Sequence, residues 1–118
     1  MRVLVCGSRN WTDADAILEA LVALGPVIEV VIEGEAPGAD SLAREAAQRL
    51  DIPVLKFPAD WTKYGKAAGP IRNQQMLDEG HPDLVLAFPL QASRGTWDMV
   101  RRARLANIET RVMTGWLA

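Results

Sequence analysis

The sequence predicts a doubly wound α/β domain, with about five parallel strands in one sheet and helices on both of its faces. Short segments rich in Val, Ile and Leu alternate along the chain with longer segments whose apolar residues recur at helical spacing. No hairpin signal joins two neighbouring strand segments, so right-handed crossovers through the helices make the strands parallel. The 118 residues, of which 49% are hydrophobic and 24% charged, suit a single domain over residues 1–118.

The first half of the chain contains alternating predicted strands and helices. The strands are rich in aliphatic residues and lie at residues 2–6, 27–33 and 53–57. The first helix is capped by Asn10 or Thr12, and Gly25-Pro26 ends it. The second helix runs from Ala39 to Leu50 and has one face rich in alanine and leucine.

The second half begins with a segment that has no clear period, from Pro58 to Pro70. Such a stretch is long for a connection within a compact domain, and loops of this length are often functional. After it the sequence predicts, in order, a helix, a strand, a helix and a strand, at residues 71–79, 83–88, 95–106 and 109–114.

The composition excludes several classes of function. The net charge of -2 does not support an electrostatic nucleic-acid binder, for which a basic surface is expected. A single cysteine, Cys6, and a single histidine, His81, exclude an internal disulfide, a Cys-rich zinc site and a two-histidine metal centre. We expect Cys6 in the core, His81 in a surface turn, and neither a metal nor a cofactor. No apolar run approaches the roughly 18 residues that span a bilayer, and no signal peptide is evident, so we expect a cytoplasmic protein without membrane contact.

Glycine, arginine, hydroxyl and acidic side chains follow the predicted strands. In a doubly wound fold these segments meet at the carboxyl edge of the sheet, where ligands bind. Glycine lets a backbone approach a ligand, helix N-termini offer N–H groups to anions, and arginine binds phosphate in a bidentate manner. We therefore predict a site for a phosphorylated, nucleotide-like small molecule. The predicted site residues are Gly7, Ser8, Arg9, Trp11, Gly34, Gly38, Ala39, Asp40, Arg72, Asn73, Ser93, Arg94, Gly95 and Thr96.

Two interpretations of these residues stay open. The turns of any such fold need glycine for backbone geometry alone, so each glycine is either structural or part of the site. Trp11 and Trp61 lie in loops at the same edge, where each either stacks on a base or packs across the edge. Trp97 and Trp116 are expected in packing or at an interface.

Neither the dinucleotide pattern G-x-G-x-x-G nor the phosphate loop G-x-x-x-x-G-K-[ST] is present.

Several segments together resemble the YspA-type branch of the SLOG superfamily. They are VCGSRNW at 5–11, EGEAPGAD at 33–40, FPADW at 57–61, YGKAAGPIRNQQM at 64–76 and SRGTWDMVRRAR at 93–104. This superfamily joins the Lonely Guy phosphoribohydrolases with DNA-processing protein A. The resemblance implies a Rossmann-like domain that binds nucleotides or their derivatives, including ADP-ribose-like signals. It also implies dimers or tetramers with the site near an interface, and it includes small single-domain members from phage genomes.

The resemblance also carries roles over to particular positions. Arg72 matches an arginine that helps to handle the phosphoribosyl group in Lonely Guy enzymes. Glu35 stands where the family usually has glycine, which adds a negative charge close to the expected ligand. Related enzymes use a glutamate on the last helix for hydrolysis, but Met99 occupies that position here. Asp98 is one residue away, a rotation of about 100° on a helix, so we expect its side chain to point elsewhere.

The expected function is binding of a nucleotide-derived signal, such as ADP-ribose, an NAD derivative or a cyclic nucleotide, for sensing or sequestration. One alternative is a nucleoside 5′-monophosphate phosphoribohydrolase of Lonely Guy type, with Arg72, Asp40 and Asp98 as candidate catalytic residues. Another is a nucleic-acid-associated module, which the net charge disfavours. We expect a homodimer or homotetramer, in which Arg101 or Arg102 serves a neighbouring subunit's ligand.

Overall fold

A parallel sheet of five strands forms the centre of the protein, in a computed structural model that describes residues 1–113. The strands are β1 (Arg2–Gly7), β2 (Val30–Glu33), β3 (Val54–Lys56), β4 (Leu84–Phe88) and β5 (Glu109–Val112). Their order across the sheet is β3-β2-β1-β4-β5, and every neighbouring pair is parallel. The predicted doubly wound, Rossmann-like α/β fold is confirmed. Strand order reverses beside β1, so the carboxyl ends of β1 and β4 form the switch point at which such folds bind ligands.

The helices of residues 1–113 cover both faces of this sheet. They are α1 (Ala14–Leu24), α2 (Ala39–Arg49), α3 (Trp61–Tyr64), α4 (Ala68–Gly80) and α5 (Arg94–Leu105). Successive side chains of a strand point to opposite faces, so β1 contributes to two cores. Val3 and Val5 pack with α1 and α2, whereas Leu4 and Cys6 pack with α4 and α5. None of these helices has the length and apolar character that a membrane span requires.

The first helix begins later than the sequence predicts. Asp13 caps α1, because its carboxylate accepts a hydrogen bond from the N–H of Ala16 at 3.1 Å. Asn10 and Thr12, the predicted caps, both precede this residue. Asn10 instead donates its N–H to Oγ of Ser8 at 3.0 Å, in a turn that follows β1. The prediction of Asn10 or Thr12 as the cap is therefore wrong, since this turn delays the start of the helix.

The segment from Pro58 to Pro70, which has no clear period, is largely helical. It contains α3, a single 3₁₀ turn at Gly65–Ala67 and the first residues of α4. Pro70 is compatible with α4 because it is the third helical residue, where a backbone N–H has no partner within the helix to lose. His81 follows α4 in a left-handed conformation with φ of 49°, in agreement with the predicted turn.

Four strands are shorter than predicted: β3 by one residue at each end, β4 by one residue at its start, and β2 and β5 by more than one residue at one end. Gly25–Val27 forms a 3₁₀ turn that contains Pro26, whose ring fixes a helical φ, so β2 begins only at Val30. β5 ends at Val112. Thr114, the predicted end of that strand, and Trp116 lie outside the described residues.

The start of α2 packs directly against the turn after β1. Gly38 precedes α2 with φ of 76° and ψ of -123°, a conformation that residues with a Cβ rarely adopt. A Cβ at Gly38 would overlap the carbonyl oxygen of Ser8 and lie 2.5 Å from the carbonyl carbon of Arg9. Gly25 and Gly65 have similar dihedral angles, but a Cβ at either would meet no atom within 4 Å. Internal packing therefore requires glycine at position 38 in addition to the backbone conformation.

We predict that Gly38→Ala lowers the free energy of unfolding more than Gly25→Ala or Gly65→Ala does. The two control variants carry only the backbone strain, about 1–3 kcal/mol. At position 38 the neighbouring backbone must also move, so we expect an additional loss of at least about 1 kcal/mol. Urea denaturation of the three variants measures the difference, and equal losses would contradict the assigned contact.

Candidate functional site

A cavity of about 790 Å³ opens at the carboxyl edge of the sheet, beside the end of β1. Its walls come from the turn after β1, the start of α2, the α3–α4 segment and the N-terminus of α5. Small-molecule sites typically enclose about 300–1,000 Å³, so this cavity has a suitable size. The predicted site residues that line it are Gly7, Ser8, Arg9, Asp40, Arg72, Asn73, Ser93, Arg94, Gly95 and Thr96.

The two tryptophans of this edge have different surroundings. Trp11 is buried, with its ring centroid 5.3 Å from that of Phe88 in an edge-to-face arrangement, and its indole N–H donates to the carbonyl oxygen of Asp13 at 2.9 Å. The interpretation of Trp11 as a stacking residue is therefore wrong, because core packing occupies its ring. Trp61 is 49% exposed and lines the cavity, with the guanidinium of Arg9 5.4 Å from its ring centroid. Trp61 alone of the two offers a stacking surface.

Three more predicted site residues, Gly34, Gly38 and Ala39, do not line this cavity. Ala39 is fully buried and donates its N–H to the carbonyl oxygen of Ser8 at 3.1 Å. At Gly34, a Cβ would lie 2.5 Å from Nη1 of Arg72. These three residues pack the turns against one another. The interpretation of Gly34 and Gly38 as structural residues therefore fits the structure better than their interpretation as part of the site.

Asp40 is a buried carboxylate in the cavity wall. It is 5% exposed, and its Oδ2 accepts hydrogen bonds from the N–H groups of Gly34 at 3.0 Å and Ala36 at 3.2 Å. Burial raises the pKa of Asp40 to about 6, although these hydrogen bonds and the charge of Arg72 act in the opposite direction. The carboxyl can therefore take up or release a proton close to neutral pH.

Arg72 and Asn73 join α4 to the loops on either side of it. Arg72 donates from Nη1 to the carbonyl oxygen of Gly34 and from Nε to Oδ1 of Asn73, the latter at 3.1 Å. Asn73 donates from Nδ2 to the carbonyl oxygen of Gly95 at 3.1 Å and to Oδ2 of Asp98 at 3.0 Å. A continuous chain of hydrogen bonds thus fixes the loop before α2 and the start of α5 to α4.

Asp98 lies on the cavity wall, although its position on the helix led us to expect that it points elsewhere. Arg101 and Arg102 each donate to its carboxylate at 2.8 Å. Partial burial acts to raise the pKa of Asp98, but hydrogen bonds from Arg102, Asn73 and Arg101 lower it overall. Each of the two arginines thus bonds to Asp98 within its own chain, and a role for either of them at a neighbouring subunit's ligand stays a prediction. Met99 is fully buried in the core.

Two glutamates at the end of β2 form a pair that the sequence does not reveal. Glu35, expected close to the ligand, does not line the cavity; its carboxylate instead lies 2.8 Å from the guanidinium of Arg44. Glu33 is fully buried and accepts the N–H of Glu35 at 2.9 Å, while its Oε1 has no hydrogen-bond partner among residues 1–113. Burial, together with a hydrogen bond to the Glu35 side chain, raises the pKa of Glu33 to about 8. Glu33 is therefore largely protonated at neutral pH.

Lys66 lines the cavity, and the sequence does not single it out. It lies in the 3₁₀ turn between α3 and α4 and makes no ion pair with residues 1–113. Nothing in the local pattern distinguishes it from Lys63, since only the path of the chain after α3 brings Lys66 to the cavity. Cys6 is buried as expected, and burial raises the pKa of its thiol, which is therefore protonated and unreactive.

The N-terminus of α5 borders the cavity with an accessible backbone. A Cβ at Gly95 would meet no atom within 4 Å, so internal packing does not require glycine at this position. Ser93 precedes the helix, but its Oγ accepts a hydrogen bond from the N–H of Leu90 at 2.8 Å and does not cap α5. The first N–H groups of the helix therefore remain available to an anion.

The fold and the cavity together define a Rossmann-like α/β domain with a candidate anion-binding site. Residues 1–64 match the family described as YspA, cpYpsA-related SLOG, and the chain belongs to this family. It is also 38% identical over 115 residues to the Gene 61 protein of Mycobacterium phage D29, and the match covers 91% of each chain.

Among solved structures, the chain is similar to DNA processing protein A (DprA) from Streptococcus pneumoniae, with a TM-score of 0.79 and 19% sequence identity. The match covers 97% of this chain and 50% of that chain, so the protein spans about half the length of DprA. At this level of identity the similarity shows a shared fold.

We predict that the free energy of unfolding falls between pH 6 and pH 8, and that Glu33→Gln reduces this fall. The pKa of Glu33 is about 8 in the folded protein against an ordinary value of 4.5, so the folded state binds more protons between these values and loses stability as the pH rises. Asp40 contributes in the same direction, but only up to about pH 6. Denaturation at both pH values measures the effect.

Glu45→Gln is the matched control, because Glu45 is exposed and makes no ion pair within residues 1–113. It should keep the pH dependence of the original protein. An unchanged pH dependence in Glu33→Gln would show that Glu33 does not hold a proton in the folded state.

Proposed function

We propose that the protein binds a nucleotide-derived small molecule in this cavity, and that it senses or sequesters the ligand without cleaving it. The observation that carries the proposal is a set of cations on the cavity wall, Arg9, Lys66 and Arg94, that make no ion pair within residues 1–113. The whole chain has a net charge of -2, so this positive wall does not follow from the overall composition. An anionic ligand would neutralise it.

The N-terminus of α5 suits a phosphate group. The helix favours anions there through its unpaired N–H groups and its dipole. Gly95 has no side chain to keep a ligand oxygen from these groups, and Thr96 lines the same wall. Arg94 adds a planar donor that can bind two phosphate oxygens at once.

The other side of the cavity suits a sugar and a base. Asp40 can accept a hydrogen bond from a ribose hydroxyl, and the half-exposed ring of Trp61 offers a stacking surface. Asn73 uses both amide hydrogens inside the protein, so we propose that it holds the wall in place and does not contact the base. Membership of the SLOG family supports a nucleotide-related ligand.

A phosphoribohydrolase is the second candidate, and the pKa of Asp40, about 6, favours it. A carboxyl group that titrates near neutrality can protonate a leaving base as a general acid. Hydrolysis of an N-glycosidic bond also needs a second carboxylate at the sugar. Asp98 is the other carboxylate on the wall, but Arg101 and Arg102 hold it. We therefore rank binding above hydrolysis.

Two further expectations remain proposals. The first is a nucleic-acid-associated role. The protein shares its fold with DprA, but its net charge of -2 disfavours binding to nucleic acid. A homodimer or homotetramer would give a partner to the exposed apolar residues of α5, Trp97 and Leu105, which are 45% and 76% exposed.

We predict that isothermal titration calorimetry detects binding of at least one of AMP, ADP-ribose, NAD and a cyclic dinucleotide. Arg94→Ala should weaken this binding about 10-fold or more, because a hydrogen bond to a charged group contributes about 1.5–3 kcal/mol. Arg104→Ala is the matched control, since Arg104 is exposed on the same helix and does not line the cavity. Absence of heat with every ligand, or an equal loss in both variants, would contradict the proposal.

We also predict that no free base appears when AMP or CMP is incubated for a long time at high protein concentration and then separated by chromatography. The physical reason is that Arg101 and Arg102 engage the second carboxylate that the reaction needs. Release of base would refute the proposal of binding without cleavage. In that event Asp40→Asn should abolish the release, since its amide cannot donate a proton as a general acid.

A further inference from the structure

Lys66 contributes to the cavity a positive charge that no ion pair within residues 1–113 neutralises. It makes no ion pair and no side-chain hydrogen bond within residues 1–113, and it lies in a short turn that leads directly into α4. Its neighbour Lys63 differs, because its ammonium lies 5.1 Å from the ring centroid of Tyr64 and it does not line the cavity. The chain therefore offers two nearby lysines, of which only Lys66 borders the candidate site.

The carboxylates of the cavity wall do not offset the cations. Asp98 is paired with arginines of its own helix, and the charge of Asp40 is opposed by that of Arg72, a further cation of the same wall. Arg9, Lys66 and Arg94 are then left with their charges. A phosphate monoester has its charge on a single phosphoryl group, so it can contact the cations on one side of the cavity only.

The three cations also belong to different parts of the sheet edge. Arg94 begins α5 after β4, Arg9 follows β1, and Lys66 follows β3. The strands β3 and β4 are separated by about 14 Å, because β2 and β1 lie between them and each step across the sheet is about 4.8 Å. The phosphate proposed at the start of α5 lies on the side of Arg94, which leaves Lys66 for a second anionic group.

We propose that Lys66 selects ligands that carry a second phosphoryl group, such as a nucleoside diphosphate or a pyrophosphate diester, over nucleoside monophosphates. The inference rests on the proposed function, since it concerns the same cavity. Arg9 assists Lys66, and its position over Trp61 brings a cation next to the surface on which the base stacks. The cavity volume of about 790 Å³, in the upper part of the usual range, accommodates a ligand larger than a mononucleotide.

The test compares dissociation constants for AMP, ADP and ADP-ribose, measured by calorimetry on the original protein and on Lys66→Gln. AMP and ADP-ribose carry similar charges at neutral pH, so the comparison separates the number of phosphoryl groups from total charge. We expect the original protein to bind ADP and ADP-ribose about 10-fold more tightly than AMP. Lys66→Gln should lose this advantage, because its loss of affinity for ADP and ADP-ribose should exceed its loss for AMP by about 10-fold.

Two further variants keep the test specific. Lys63→Gln removes the same charge outside the cavity and should retain the preference for two phosphoryl groups. Lys66→Arg keeps the charge and should retain it as well. Equal affinity of the original protein for the three ligands, or an equal loss for all of them in Lys66→Gln, would overturn the role of Lys66 and leave the proposed function intact. Failure of the original protein to bind any of the three would count against both.

Discussion

The candidate site depends on the absence of a side chain at Gly34. A Cβ there would lie 2.5 Å from Nη1 of Arg72 and 2.9 Å from Oδ2 of Asp40. This close approach lets the N–H of Gly34 donate to Asp40 while its carbonyl oxygen accepts from Arg72. One backbone residue therefore provides hydrogen bonds to a buried anion and to a largely buried cation, and burial of either charge without such partners would be strongly unfavourable.

The consequences of this contact reach the start of α5 through Asn73. Asn73 accepts from Arg72 and donates to the carbonyl oxygen of Gly95, so the position of the proposed phosphate site is linked to the loop that follows β2. The same amide also donates to Asp98, which its own helix neutralises through Arg101 and Arg102. An acidic protein can thus present a positive cavity, because its carboxylates at this edge already have partners.

The strand and helix order could be predicted from the sequence, since each apolar segment has a period that its position in the sheet or on a helix requires. Most of the cavity wall could be predicted too, because residues that follow parallel strands share one edge. Trp11 and Glu35 could not, since the direction of a side chain in a turn depends on contacts such as those with Phe88 and Arg44. Lys66 and Glu33 could not be predicted from the sequence either, because only the fold determines which lysine lines the cavity and which glutamate is buried.

The proposed function requires nucleotide phosphates to bind at the N-terminus of α5. Nuclear magnetic resonance of the ¹⁵N-labelled protein, titrated with ADP-ribose, tests this position. We expect the backbone amide signals of Arg94, Gly95 and Thr96 to shift most and to saturate together with the indole signal of Trp61. The largest shifts could instead fall in the shallow depression around Thr12, Ser41 and Leu42, or no signal could move. Either result would refute phosphate binding at the N-terminus of α5.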